Sequence, residues 1–458
     1  MAEMTPAALE PSNVATIGGE PRREPSLRGA SVDGRDDEHR CGGTRPESQE
    51  GPVQEGPRLW PATRGVDVPS VRRARFFRFE VLHESTKSRA RVGRIHTPHG
   101  VIDTPGFVPV GTNAALKGVT QREADAAGVQ LMFANSYHLL LQPGPDVIAG
   151  AGGLHKYMNR TRPLITDSGG FQVFSLAYGS VHEELTMKGA GRSHGGKYRD
   201  GPSTVAKISE DGVDFKSYRD GRKVTLTPES SVQIQKAYGA DIIIPFDELP
   251  PYHITPEALA LSVKRTHRWE ARSLREHLKN VQKQAMYGVI HGGVDYDLRK
   301  QSVEYIASLP FDGHAIGGSI GKNRDEMLEL LTYVTPQLPR EKPIHLLGIA
   351  DEPSLHGCVP LGIDTFDSCY PTRAGRHGTV FSKTLGRIQV TKGKFASHHG
   401  PIDESCSCPA CKEHSVSYIH HLFKAHEPTG MMLATLHNLY YMTSLMESFR
   451  ADILANKI

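Results

Sequence analysis

The sequence predicts an α/β protein built as a (β/α)8 TIM barrel, with a β-hairpin insertion and a small C-terminal subdomain. Three observations carry that prediction. Eight short apolar segments alternate with helical stretches, each segment is followed by polar residues or paired glycines, and three cysteines crowd together near the C-terminus. Alternating βα units argue for a parallel sheet, and eight of them for closure into a barrel whose chemistry sits at the strand C-terminal ends.

Residues 1–74 are rich in Pro, Gly, Arg and acids and contain no lysine. Such a segment buries too little apolar surface to offset its ordering entropy, so a disordered N-terminal extension is expected. It has no secretory apolar stretch, and its acids run against an acid-poor transit peptide. A cytoplasmic location is expected, with organellar targeting by the extension as the alternative. Order is expected from Arg75 onward, where Phe76, Phe77 and Phe79 begin an apolar alternation, and residues 75–458 are read as one barrel domain.

Barrel strands are expected at Gly106–Val110, Leu131–Asn135, Pro163–Thr166, Asp241–Phe246, Met286–Ile290, His314–Ile316, His345–Gly348 and Asp364–Phe366. Around 181–229 the alternation breaks, and Val213–Tyr218 and Lys223–Leu226 flank Arg219-Asp220-Gly221-Arg222 as a β-hairpin.

At 458 residues the chain has room for a large barrel plus an appendage. No apolar run approaches the length of a membrane span, so none is expected. A net charge of +3 does not by itself argue for nucleic acid. Its distribution does. Between Arg373 and Lys424, eight Lys or Arg face three acids, a local balance of +5 that suits a phosphate backbone.

Cys406-x-Cys408-x-x-Cys411 has the spacing of thiolate metal ligands in a reducing compartment, and points to one structural Zn2+ in a subdomain at about 395–445. Spacing leaves the fourth ligand open among His414, His420, His421, His426 and His437. Asp167, Asp247 and Asp367 each follow an expected strand, so all three should face one mouth, where carboxylates in different environments can divide the roles of nucleophile and base. Gly169-Gly170, Gly292-Gly293 and Gly317-Gly318 would let a flat ligand approach the backbone.

These residues resemble a known family, the tRNA-guanine transglycosylases (queuine tRNA-ribosyltransferases) of the catalytic type. The matching pieces are Thr166-Asp167-Ser168-Gly169-Gly170-Phe171-Gln172, Phe246-Asp247-Glu248, Phe366-Asp367-Ser368 with Pro371-Thr372-Arg373, and the three-cysteine loop followed by His437-Asn438. The resemblance runs from about Phe76 to the C-terminus. It implies a pentosyltransferase that exchanges guanine at the tRNA wobble position for queuine or a related 7-deazaguanine, through a covalent aspartyl-ribose intermediate. Asp367 would be the nucleophile and Asp167 the general base; Asp247, Ser168, His291 and the backbone from Gly313 to Gly317 would bind the base. Arg373 and Arg376 would contact the anticodon loop, and His437 would be the fourth zinc ligand. The implied partners are tRNAs of the Asp, Asn, His and Tyr type with GUN anticodons, and a second subunit, either identical or a non-catalytic paralogue.

The chain departs from the common bacterial pattern at His291, where a glutamine is usual, at Leu249, where many members have a cysteine, and at Gly318, where the pattern has a glutamate. Ala315-Ile316-Gly317-Gly318 looks like the eukaryotic version and favours queuine over its aminomethyl precursor. Two other readings compete. A non-catalytic tRNA-binding partner would be expected to have lost Asp367, and a zinc hydrolase would need metal ligands at the strand ends.

Overall fold

A computed structural model describes residues 76–178 and 205–458. The expected disordered extension, residues 1–74, and residues 179–204 of the interrupted stretch lie outside the described residues. The chain enters through a three-stranded antiparallel sheet, β1 (Arg78–Glu84), β2 (Arg91–Thr97) and β3 (Gly100–Thr104). The first barrel strands follow as β4 (Gly106–Gly111), β5 (Met132–Ala134) and β6 (Leu164–Thr166). Next comes the insertion: β7 (Val205–Ile208), β8 (Val213–Lys216) and β9 (Lys223–Leu226). The barrel is completed by β10 (Ile242–Ile243), β11 (Ala285–Ile290), β12 (Gly313–Ile316), β13 (Ile344–Leu346) and β14 (Thr365–Ser368), which returns to pair with β4. All eight expected barrel strands are present, with ends displaced by a few residues.

Alternate strand residues point inward. Val108, Phe133, Ile165, Ile242, Tyr287, Val289 and Ala315 form one cluster with Phe77, Ile95 and Ile102 of the entry segment. The β1–β3 sheet therefore closes the N-terminal end of the barrel, the floor, with Phe77 edge-on to Tyr287 at 6.0 Å. The sequence alternation at 76–79 marked where order begins but not this plug.

Three carboxylates organise the floor. Asp241, Asp312 and Asp364 stand directly before β10, β12 and β14 and accept the N–H groups of Leu164 (2.8 Å), Met286 (2.9 Å) and Ile344 (2.7 Å) on the preceding strands of the barrel. Asp364 also takes a bidentate ion pair from buried Arg91 on β2, at 2.9 and 2.6 Å, which fastens the plug to the barrel. A planar guanidinium suits that geometry better than a lysine would.

The insertion differs from the expected hairpin. β8 and β9 pair in register, Val213 opposite Leu226, but β7 adds a third antiparallel strand on the far side of β8. Val213, Phe215 and Leu226 pack with Tyr137, Phe174, Phe246 and Trp269 beside the barrel mouth, and Val205 and Ile208 extend that packing.

After β14 the helix Tyr370–Arg376 leads into a hairpin, β15 (Thr379–Ser382) and β16 (Gly386–Gln389), then the cysteine loop and the helices Val416–Lys424 and Pro428–Leu454. A separate core of Val380, Ile388, Phe395, Ile419, Leu422 and Leu433 holds this part together. The last helix crosses Tyr370–Arg376 so closely that a Cβ on Gly375 would lie 2.8 Å from Thr435 backbone. Among the described residues no helix is long and apolar enough to cross a membrane.

Candidate active site

Asp367 lies on β14 at its C-terminal end, in the register Asp367 opposite Val108 of β4. One of its oxygens, Oδ1, accepts from the Gly348 N–H at 2.8 Å and lies 3.0 Å from His345 Nε2. Asp167 follows β6 and is bound more tightly: Ser136 N–H donates to Oδ1 at 2.6 Å, and Asn135 Nδ2 (2.7 Å) and Gln172 Nε2 (2.9 Å) donate to Oδ2. Burial pushes its carboxyl up to about 6, against the pull of those donors. A carboxyl at that value exchanges its proton near neutral pH, as an acid–base group needs.

Asp247 follows β10. Its Oδ1 accepts from Ser168 Oγ at 3.2 Å, and its Oδ2 lies 2.8 Å from His291 Nε2. Ser168, Asp247 and His291 are thus brought together as one polar edge. Gly317 and Gly318 border it: a Cβ on Gly318, which sits at φ +76°, would lie 3.0 Å from His291 Nδ1. Beside His291 and Gly318 opens a cavity of ≈ 290 Å³, lined also by Tyr252, Leu259, Val263 and Ser319.

Two residues that hold the site in place have no conspicuous sequence signal. Arg299 is fully buried and donates to the carbonyls of Ile290 (2.6 Å), Gly293 (2.8 Å), Gly317 (2.9 Å) and Ser319 (3.0 Å), pinning the loops after β11 and β12. The other is His345, in the barrel interior under Asp367.

Gly313 is not brought to the mouth. It opens β12 at the floor, and a Cβ there would lie 2.6 Å from the Tyr287 ring. Gly317 lies four residues further along, about 13 Å at strand rise, so of the two only Gly317 can border a ligand at the mouth. Arg373 and Arg376 lie on the helix Tyr370–Arg376, which begins two residues after β14 ends. Arg373 is exposed and Arg376 half-buried, and burial lowers the Arg376 pKa. Lys383, Arg387, Lys392, Lys394, Lys412 and Lys424 are all exposed, as are Glu404 and Glu413, whereas Asp403 is buried.

The cysteine loop closes on the last helix. The Sγ atoms of Cys406, Cys408 and Cys411 lie 3.7, 3.4 and 3.3 Å from His437 Nδ1, and all four ligand atoms are within 4.8 Å of one another. Metal–sulfur and metal–nitrogen bonds of about 2.3 and 2.1 Å in a tetrahedron give edges of about 3.6 Å, so the residues fit one ion. His437 Nε2 donates to the Phe381 carbonyl at 2.6 Å, leaving Nδ1 as the ligating nitrogen. Hydrogen bonds from Cys408 and Cys411 hold the Cys406 thiol far below its ordinary range. The next residue, Asn438, ties β15 to Pro371 through bonds to Phe381 N, Thr379 O and Pro371 O.

A second trio, His99, His155 and Asp241, lies at the floor. Its imidazoles stack at 3.5 Å and 13°, so no single ion can lie in both ring planes. The trio is a clamp between the β2–β3 turn, the helix Leu154–Tyr157 and β10.

The queuine tRNA-ribosyltransferase family model matches residues 85–458. A queuine tRNA-ribosyltransferase from Protochlamydia amoebophila is 59% identical over 378 residues, 82% of this chain and 95% of the relative. Relatives of the same name from Chlamydia caviae and Chlamydia trachomatis are 51% identical over 382 residues, 83% of this chain and 99% of theirs. With a barrel mouth that gathers three aspartates, a Cys3His cluster on its flank and these matches across most of its length, the chain belongs to the queuine tRNA-ribosyltransferase family.

Proposed function

We propose that this chain exchanges guanine at the wobble position of GUN anticodons, in tRNAs of the Asp, Asn, His and Tyr type, for queuine or a related 7-deazaguanine. The observation that carries the reading is the contrast between two carboxylates in one mouth: Asp367, held by one oxygen with the other open, and Asp167, buried with its carboxyl near 6. Asp367 attacks C1′ of the target nucleotide. Its Oδ2, the carboxylate oxygen without a donor, bonds to C1′ as the C1′–N9 bond breaks, and the electron pair leaves on guanine, which takes a proton from Asp167. Asp167, now ionised, takes the N9 proton of the incoming base. That base attacks C1′, and the C1′–oxygen electron pair returns to Asp367.

Asp247, with Ser168 and His291, offers acceptors and a donor to the Watson–Crick edge of the base, and the Gly317 backbone borders that edge. The neighbouring cavity of ≈ 290 Å³ gives space for a bulky 7-substituent, which favours queuine. The base must leave its stack to reach this depth, so the substrate is a loop. Arg373, Arg376 and the basic face would take the phosphates. Cys406, Cys408, Cys411 and His437 would hold a structural zinc that fixes this face on the barrel. A second subunit, identical or a non-catalytic paralogue, would help hold the tRNA, and the enzyme would act in the cytoplasm.

The test is incorporation of labelled guanine into unmodified tRNA bearing a GUN anticodon, by wild type and by Asp367→Asn, with queuine as competitor. Incorporation by wild type alone, suppressed by queuine, is expected. Equal incorporation by Asp367→Asn would remove the nucleophile assignment.

A further inference from the structure

We propose that His345 is a positioning residue that makes Oδ2 the attacking atom of Asp367; the inference rests on Asp367 being the nucleophile. β13 and β14 run in parallel register with His345 opposite Thr365, two residues below Asp367 on the same inward face. His345 is fully buried. Its Nε2 is 3.0 Å from Asp367 Oδ1, and its Nδ1 is 2.8 Å from Thr365 Oγ1. The Gly348 N–H donates to that same Oδ1 at 2.8 Å. Among the described residues nothing donates to Oδ2.

The two carboxylate oxygens are therefore not equivalent. Oδ1 carries two donors, the Gly348 N–H from the loop after β13 and, from below, an imidazole wedged in the barrel interior near Phe133. Turning the carboxylate to present Oδ1 would break both bonds. With Oδ1 held, Oδ2 is left without a donor in one fixed orientation, which is the preorganisation a displacement at C1′ requires. Facing a carboxylate, Nε2 is the nitrogen that donates, and the contact of Nδ1 with the Thr365 hydroxyl fixes the ring in that orientation.

The same arrangement serves the second half-reaction. Once Oδ2 is bonded to C1′, Oδ1 is the carbonyl oxygen of the ester and keeps both donors. When the incoming base attacks C1′, the C1′–Oδ2 bond breaks and its electron pair returns to the carboxylate, whose recovered charge is stabilised by His345 and Gly348. A residue with only a packing role would do neither.

The experiment compares His345→Phe, His345→Gln, Thr365→Val and Asp367→Asn in guanine exchange, with Tm and tRNA KM measured for each. His345→Phe keeps the volume and removes the donor, and kcat is expected to fall about 10- to 100-fold, the equivalent of one hydrogen bond to a charged group. KM for tRNA is expected to stay within about twofold, since only the reacting carboxylate is disturbed. His345→Gln restores a donor of similar reach and is expected to recover most of the loss. Thr365→Val, which leaves His345 in place, is expected to lower kcat about three- to tenfold and covers the case in which His345→Phe does not fold.

A kcat for His345→Phe within about threefold of wild type, or equal impairment of the Phe and Gln variants, overturns the positioning role. With an unfolded His345→Phe, an unchanged kcat for Thr365→Val overturns it. If Asp367→Asn itself remains active, the nucleophile assignment falls, and this inference with it.

Discussion

Asp167 and Asp241 stand at opposite ends of one pair of strands. β6 and β10 pair as Ile165 with Ile242 and Thr166 with Ile243; Asp167 follows the first strand at the mouth and Asp241 precedes the second at the floor. Both carboxylates are buried, yet their pKa values move in opposite directions. At the mouth burial prevails, and Asp167 rises to about 6 although three groups donate to it. At the floor burial alone would also raise Asp241, but the close imidazoles of His155 and His99 and the Leu164 N–H outweigh it and hold the carboxyl well below the usual range. The difference is the partner. Neutral amides around Asp167 cannot compensate the charge as two imidazoles do. The floor spends its aspartates on holding strands together, while the mouth keeps one ready to exchange a proton, the division of labour expected between the two faces of such a barrel.

That contrast can be broken by mutation, and the largest effect is at the mouth. Asp367→Ala is expected to lower exchange by about 10⁴-fold or more, with a urea midpoint close to that of wild type; a large loss of stability would mean that this carboxylate is structural after all. The reverse is expected of Asp241→Ala. Leaving His99, His155 and the Leu164 N–H without their acceptor should remove about 3–5 kcal/mol of unfolding free energy, while the folded enzyme keeps its kcat; urea titration alongside an exchange assay separates the two. Cys408→Ala is expected to purify with less than stoichiometric metal and a Tm lower by about 5 °C or more, and full metal content at wild-type Tm would remove the metal assignment.

The pH dependences sharpen the comparison. Asp167 must be ionised to take the N9 proton, so the rate of the second half-reaction is expected to climb with pH and level off above about 6. Its raised pKa also has a stability sign: the folded state binds the proton more tightly than the unfolded chain, so stability falls as pH rises from about 4 to about 6 and is flat above. Asp241 has the opposite sign. Its contribution is present above the unfolded value near 4 and is lost as pH falls through the depressed folded value. Smallest of all is His99→Ala, expected to change stability by under about 1 kcal/mol, because that imidazole is 39% exposed and water screens it.

Much of the mouth was legible because its signals are local. A short apolar strand must end where polar or glycine residues begin, so Asp167, Asp247 and Asp367 marked three strand ends before any pairing was known. The floor had a signal of the same kind, an aspartate directly before Ile242, Gly313 and Thr365, but its meaning depends on which strand lies alongside. Gly313 shows the limit from the other side. It has the same inward parity as Gly317, and only its place at the start of β12 removes it from the mouth. β7 was missed because a lone short strand shows its role only when β8 supplies a partner and Trp269 and Phe246 supply a surface.

By itself the sequence determined the barrel, the aspartates at its mouth, the three thiolates and the basic face, since each follows from residue type and spacing along the chain. The tertiary structure decided the rest: that Asn135 and Gln172 reach Asp167, that His345 lies under Asp367, that Arg299 gathers four carbonyls, and that His437 meets the cysteines. These are contacts between residues far apart in the chain or on different strands, and only closure of the barrel and docking of the last helix bring them within hydrogen-bond distance.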